Sequence, residues 1–441
     1  TAISNSTMTS VNTSSGVAEF TAISWNTAGN YRIAFTAASL GANERVISSN
    51  VFSVVAAAAS KLVWLTQPQA TIASRALPGT PAVLEVQDQY GNRVTTDSTT
   101  SATASILRPT GGQVNLRSGH IATAVGGLIT LDQLKIGAVA KTGYRLSIAV
   151  TGGLTAPANS SEFEITHGAA NELYVEPASV NVRAGVAFSN SDKPVLYIKD
   201  IDGNRVWDAA GSVTASVSSA FTLTSAVSGT PTETITSGRA YFDANNLTLS
   251  GRAGTVSISY KATVGGVDYF ATQTATLAAG VSDRLIIKTQ PANVIARDPM
   301  ANVVVQIQDA FGNPVLSEIS SIKAELYNPS TSAVVGGAVA TTTAVVSNTG
   351  QVTFAGLSYN DAGTYRLKFT YLNANLNAPT ISTLLSNTFV IAPADPAKVA
   401  WSTQPGSGND PQVAIASRGS FGRVPVLAVQ DLNGNAVVGT T

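Results

Sequence analysis

Cysteine is absent from the 441 residues, which excludes disulfide staples, thiol nucleophiles and thiolate metal sites. Histidine is nearly absent. His120 and His167 stand apart, each without a cluster of metal-ligating or carboxylate residues beside it in the sequence, and an isolated imidazole reads as structural or solvent-facing. Charge is scarce too, at 12% of residues, and 26 Lys+Arg balance 26 Asp+Glu to a formal net charge of 0. That balance supplies no basic field for nucleic acid or an anionic membrane, so neither is expected as a partner. No apolar run approaches the roughly 20 residues that cross a bilayer, so membrane insertion of this segment is not expected. A Gly-x-Ser-x-Gly elbow is missing, as is any repeated Ser/His/Asp set, so the chain reads as a non-enzyme.

What is present is a repeat. An alternating apolar run ends in Asp-x-x-Gly-Asn-x-Val four times: VLEVQDQYGNRV from Val83, VLYIKDIDGNRV from Val195, VVQIQDAFGNPV from Val304 and VLAVQDLNGNAV from Val426. Thr-Gln-Pro precedes it at Thr66–Pro68, Thr289–Pro291 and Thr403–Pro405, with Val-Glu-Pro ending at Pro177 in the remaining copy; the four prolines lie 109, 114 and 114 residues apart. A late marker reads Ala-Gly-Asn-Tyr-Arg-Ile from Ala28, Thr-Gly-Tyr-Arg-Leu from Thr142 and Asp-Ala-Gly-Thr-Tyr-Arg-Leu from Asp361, with Ala-Gly-Thr-Val-Ser-Ile from Ala253 as the outlier. Cutting at the Ala- or Pro-containing joints gives whole units at 58–168, 169–280 and 281–394, with a late half-unit at 1–57 and an early half-unit at 395–441. The expectation is a window from a longer array; the alternative is that the halves pair between neighbouring copies.

Within the marked run, apolar Leu84 and Val86 alternate with Glu85 and Gln87, which is the period of a strand with one buried face. Gly and Asn then supply turn chemistry. The alternation places Asp88, Asp200, Asp309 and Asp431 on the inward side, where an unpaired carboxylate is costly, so each is expected to accept hydrogen bonds from turn amides. The structural turns are accordingly Asp88, Gly91 and Asn92; Asp309, Gly312 and Asn313; and Asp431, Gly434 and Asn435. Short Val, Ile, Thr, Phe and Tyr runs at intervals of about 8 to 12 residues signal an all-β fold, with each unit a two-sheet sandwich.

The stretch Asp361–Leu367 resembles the strand-F signature of immunoglobulin domains, with Tyr365 in the tyrosine-corner place and Leu367 where a disulfide-bonded domain carries Cys. Tyr31 and Tyr144 repeat the arrangement, whereas Val256 stands where the second full unit loses the phenol. With the strand-end motif, the units resemble the bacterial Ig-like repeats of invasin- and intimin-type adhesins, surface-layer proteins and other giant envelope proteins. The fold expected is therefore all-β, tandem Ig-like β-sandwich domains in an extended array. The resemblance implies an extracellular, cell-surface location and a structural role: a section of a surface-layer, sheath or filament subunit that assembles with itself, laterally or head to tail. A low-charge, hydroxyl-rich surface suits such packing. The alternatives are the stalk of an adhesin whose tip binds a receptor or surface polysaccharide outside this chain, and the accessory array of a secreted polysaccharide-active enzyme.

No cofactor is expected, with calcium the one exception. Asp200, Asp202 and Asn204 space oxygen donors as calcium loops do, but the second Asp is not part of the repeat, so a simple turn is favoured. Trp64 and Trp401 occupy one repeat position and read as packing residues. Trp25 and Trp207 fit none, and a solvent-facing pair would point to carbohydrate binding.

Overall fold

The computed structural model describes residues 11, 15–20, 23–37, 46–76, 81–109, 114–224, 231–242, 247–316, 320–335, 343–373, 381–405, 417, 419 and 421–439. Every regular element among them is a β-strand, and none is a helix long and apolar enough to cross a membrane.

Among the described residues three hydrophobic cores form, running from Leu62 to Ile165, from Leu173 to Leu277 and from Leu285 to Ile391. Each lies between two sheets. In the first, a small antiparallel sheet orders Leu128–Thr130, Val83–Asp88 and Ala59–Thr66. Facing it, a larger sheet orders Ile121–Thr123, Ser101–Leu107, Lys141–Val150, Phe163–Thr166 and Thr71–Ile72. The alternation read from the sequence sets the register: Leu84, Val86 and Asp88 are fully buried while Val83, Glu85 and Gln87 are not. A fully buried Leu or Val contributes about 1.5 to 3 kcal/mol relative to exposure, and a one-residue slip would turn that whole face to solvent.

The Thr-Gln-Pro marker is where the first strand changes sheet. Ala59–Thr66 pairs antiparallel with Val83–Asp88, whereas Thr71–Ile72, just past Pro68, pairs parallel with Phe163–Thr166. Proline cannot donate to a ladder, so the strand leaves the first sheet there. The marker's Gln fixes the crossing, since Gln67 Oε1 accepts the Ser161 amide and Gln290 Oε1 accepts the Asn387 amide. The second and third units repeat the topology, with Val195–Lys199 and Val303–Asp309 central in the small sheets and Ser179–Arg183 and Val294–Ile295 as the parallel strands. The chain is thus a tandem series of Ig-like β-sandwich units.

The terminal segments hold the same pairs. Gly29–Tyr31 pairs with Phe52–Val54 in the register that sets Tyr144 opposite Phe163 and Tyr365 opposite Phe389. Lys398–Thr403 pairs with Val426–Gln430 as Ala59–Thr66 pairs with Val83–Asp88.

Candidate functional site at the joints

Two of the markers, the strand-end Asp-x-x-Gly-Asn turn and the late corner, meet where one unit joins the next. At the first whole unit, Asp88 Oδ1 accepts the turn amides of Tyr90 and Asn92 at 2.9 and 2.8 Å, as the strand alternation predicts. Its Oδ2 accepts the Asn92 side-chain amide at 2.8 Å and, from the linker behind it, the Ala57 amide at 2.9 Å. Asn92 then reaches into the preceding segment: Nδ2 donates to the Asn26 carbonyl and Oδ1 accepts the Ala28 amide. Ala28 stands immediately before the strand carrying Tyr31. The Asn side chain therefore acts as a surrogate peptide group, offering one donor and one acceptor to the corner of its neighbour.

The same arrangement recurs at every copy. Asn204 bonds the Ala138 carbonyl and the Ala140 amide at 2.8 and 2.7 Å, Asn313 bonds Gly251 and Ala253 at 2.9 and 2.7 Å, and Asn435 bonds Asn360 and Ala362 at 2.7 and 2.8 Å. Asp200, Asp309 and Asp431 hold the linker amides of Gly168, Gly280 and Ala394. Sequence reasoning found the Asp and its turn but missed the Asn crossing the joint. The available signal was an invariant Asn at all four copies, where a turn alone requires only the preceding Gly at φ of +82° to +94°.

The electrostatics follow from this bonding. Burial alone pushes the Asp88 carboxyl up, but the bonds from the Asn92 side chain and from the Ala57, Asn92 and Tyr90 amides outweigh it and bring it down to about 2. Asp431 is likewise brought down to about 2, burial being outweighed by the Asn435 side chain and the amides of Asn435, Ala394 and Asn433. Asp309 is lowered by the same balance.

The joints also differ at the residue two past the Asp. Asp202, two positions past Asp200, reaches back to Arg117 and to the Ser74 hydroxyl of the preceding unit. Phe311 occupies that position in the third unit and lies against Gly185, where an added Cβ would come within 2.8 Å of its ring. The oxygens of the calcium candidate, where the sequence favours a simple turn, accept protein donors: Asp200 takes four N–H groups, Asn204 Oδ1 takes the Ala140 amide, and Asp202 forms an ion pair across the joint. Among the described residues, no three His, Asp or Glu side chains gather as a metal site.

The tyrosine places divide. Tyr144 donates to the Val139 carbonyl at 2.7 Å and Tyr31 to the Thr27 carbonyl at 2.9 Å, both upstream bonds of a tyrosine corner. Tyr365 instead meets Tyr359 edge-on at 5.6 Å, and Tyr359 donates to Asp361. Where the second unit lacks the phenol, Tyr260 supplies one four residues later, buried and bonded to Gln273, which in turn donates to the Pro177 carbonyl. A further recurring contact lies at the position compared with the immunoglobulin Cys. The amides of Ile33, Leu146 and Leu367 donate to the hydroxyls of Ser49, Ser160 and Ser386.

His167 lies in the linker beside an open groove of about 950 Å³ between the first two units, its ring 3.5 Å from the exposed carboxylate of Asp208. Trp64 donates to the Ala158 carbonyl, and Trp25 packs edge-on against Phe52 at 5.3 Å. Trp207 is 57% exposed whereas Trp25 is half-buried in that ring contact, so the two unplaced tryptophans do not form a solvent-facing pair.

No family model and no curated protein matches this chain. Among solved structures, protocadherin gamma B7 extracellular cadherin domains 1–4 align over 79% of this chain and 80% of that one, with 10% identity and a TM-score of 0.26. The FN1-FN3 domains of chicken CNTN1 align over 76% of this chain and 98% of that one, with 11% identity and a TM-score of 0.22. Beta-glucuronidase 3 of Bacteroides uniformis aligns over 48% of this chain and 24% of that one, with 12% identity and a TM-score of 0.17. The assignment of Ig-like units rests on the strand pairing described above.

Proposed function

We propose that this chain is a structural, non-enzymatic section of an extracellular surface assembly, a surface-layer, sheath or filament subunit, in which Ig-like units are held at a set angle by hydrogen-bonded joints. One observation supports the reading above the rest: the same Asp and Asn perform the same bonds at four successive joints. A floppy spacer needs no such device. Each joint has one charge-assisted bond to the linker and two neutral bonds to the neighbouring corner, worth about 1.5 to 3 and about 0.5 to 1.5 kcal/mol respectively. That suffices to favour one inter-unit orientation without fusing the units. The near-absence of net charge then lets copies lie side by side.

Electron microscopy of the purified protein, with and without calcium, tests the assembly. Ordered sheets or filaments are expected; particles that stay monomeric at high concentration would contradict a lattice and favour an adhesin stalk.

A further inference from the structure

The outer face of the small sheet in the second unit differs from its counterparts. Glu172–Glu176, Val195–Lys199 and Arg239–Tyr241 alternate so that Leu173, Val175, Leu196, Ile198 and Ala240 point into the core. The opposite face carries Tyr174, Tyr197 and Arg239 directly abreast across the three strands, with Lys199 and Tyr241 beside them. Trp207 continues the face beyond the strand end.

These residues belong to the second unit alone. Tyr174 is replaced at the matching ladder positions by Val63 and Ile286, and Tyr197 by Glu85 and Gln306. Tyr241 matches Thr130 and Thr353, and Trp207 matches Thr95 and Leu316. The inward positions stay apolar in all three units. Core packing therefore does not account for the aromatic set.

Three cations are fixed on this face by rings. Lys199 Nζ lies 3.3 Å from the Tyr174 ring centroid, Arg205 Cζ lies 3.2 Å from that of Trp207, and Arg239 Cζ lies 4.5 Å from that of Tyr241. A ring holds a cation without cancelling its charge. Among the described residues none of the three forms an ion pair, and Arg205 Nε is buried without an acceptor. The contrast with the first unit is direct, because Arg93 at the matching position spends its guanidinium on the Gly126 carbonyl. Glu172 and Glu176 sit at the two ends of the edge strand on this face, Glu172 opposite Lys199 in the ladder without an ion pair and Glu176 opposite Val195.

We propose that this face binds an anionic polysaccharide, a uronic acid polymer, laid across the sheet. Its carboxylates would meet Lys199, Arg205 and Arg239, Arg being suited to bidentate carboxylate recognition. Tyr174 and Trp207, 38% and 57% exposed, with Tyr197 between the strands, offer apolar ring surface to the sugar faces. A flat, open sheet suits an extended polymer, whereas small molecules favour concave pockets.

Affinity electrophoresis of the full chain through gels containing polygalacturonate or alginate tests this, with a neutral β-glucan gel alongside. Retardation in at least one polyuronate gel is expected, lost in high salt and absent from the neutral gel. Trp207→Ala and, separately, Arg205→Gln should each weaken it at least tenfold, while Leu316→Ala at the matching place in the third unit leaves it unchanged. Both Trp207 and Arg205 lie outside the core, and unaltered circular dichroism of the variants confirms folding; Tyr197→Ala serves as an independent variant if either misfolds. Failure to bind both polyuronates overturns the proposal, as does equal retardation by the neutral glycan. Self-association that depends on Trp207, without polyuronate binding, assigns the face to a second copy and overturns it too.

Discussion

Replacing Asn204 with Ala removes three side-chain bonds: to the Ala138 carbonyl at 2.8 Å, from the Ala140 amide at 2.7 Å, and to Asp200 at 3.0 Å. The first two cross the joint. At about 0.5 to 1.5 kcal/mol each they couple the first and second units by about 1 to 3 kcal/mol, and a change of one or two kcal/mol is a factor of about 5 to 30 in an opening equilibrium. The Ala140 amide loses its acceptor outright, so its hydrogen exchange should accelerate by at least that factor. Exchange read by mass spectrometry at single-amide resolution reports this beside two internal references. The Gly168 amide keeps its bond to Asp200 and should change less. The Ala149 amide, which faces Thr103 in the same ladder as the Thr151–Ser101 bond, should not change. An unaltered rate at Ala140 would refute the joint bond; equal acceleration at Ala149 would show that the substitution damages the unit, not the joint.

Three further outcomes follow from the same bonding. Asp88 and Asp431 have carboxyls depressed to about 2, so their contribution is complete above the unfolded value near 3.9 and is lost as pH falls through about 2; small-angle scattering should show the joints loosening only below about pH 4, and loosening between pH 7 and 5 would contradict this. Gly280→Ala places a Cβ 2.2 Å from the Ala184 carbonyl oxygen, a backbone clash that should cost about 1 to 3 kcal/mol and lower the melting temperature; an unchanged melt argues against the tight linker. Tyr260→Phe leaves Gln273 buried without its donor and should cost about 1 to 3 kcal/mol in denaturant unfolding. Tyr144→Phe should cost less, because Val139 is 40% exposed and water can reach its carbonyl; equal losses would count against this.

The sequence-based reading extended as far as period and turn chemistry reach. Alternation named the buried faces of Val83–Asp88 and its counterparts, and the inward Asp implied amide partners, because a strand of period two leaves its last residue no other side. Pro68 and its equivalents marked the repeat without revealing that the strand changes sheets there, since the partner strand lies about a hundred residues away. The joint was hidden for a related reason. An Asn satisfies a turn or a neighbouring unit with the same two groups, and nothing local distinguishes Asn204 bonded to Ala138 from Asn204 bonded within its loop. Asp202 was ambiguous in the same way: its spacing from Asp200 left a cation open beside the favoured turn, while its partner Arg117 lies 85 residues earlier. The shift of the phenol to Tyr260 was invisible because its partner Gln273 sits across a hairpin whose register the sequence left open.

The central claim is that side-chain hydrogen bonds, not linker length, set the angle between units. Because the chain has no Cys, spin labels can be placed cleanly by Thr103→Cys in the first unit and Ser212→Cys in the second, both on exposed strand positions. Double electron–electron resonance on that labelled chain should give one narrow distance distribution. Adding Asn204→Ala should broaden it severalfold while each unit stays folded; a distribution equally narrow without the Asn, or equally broad with it, would contradict the account.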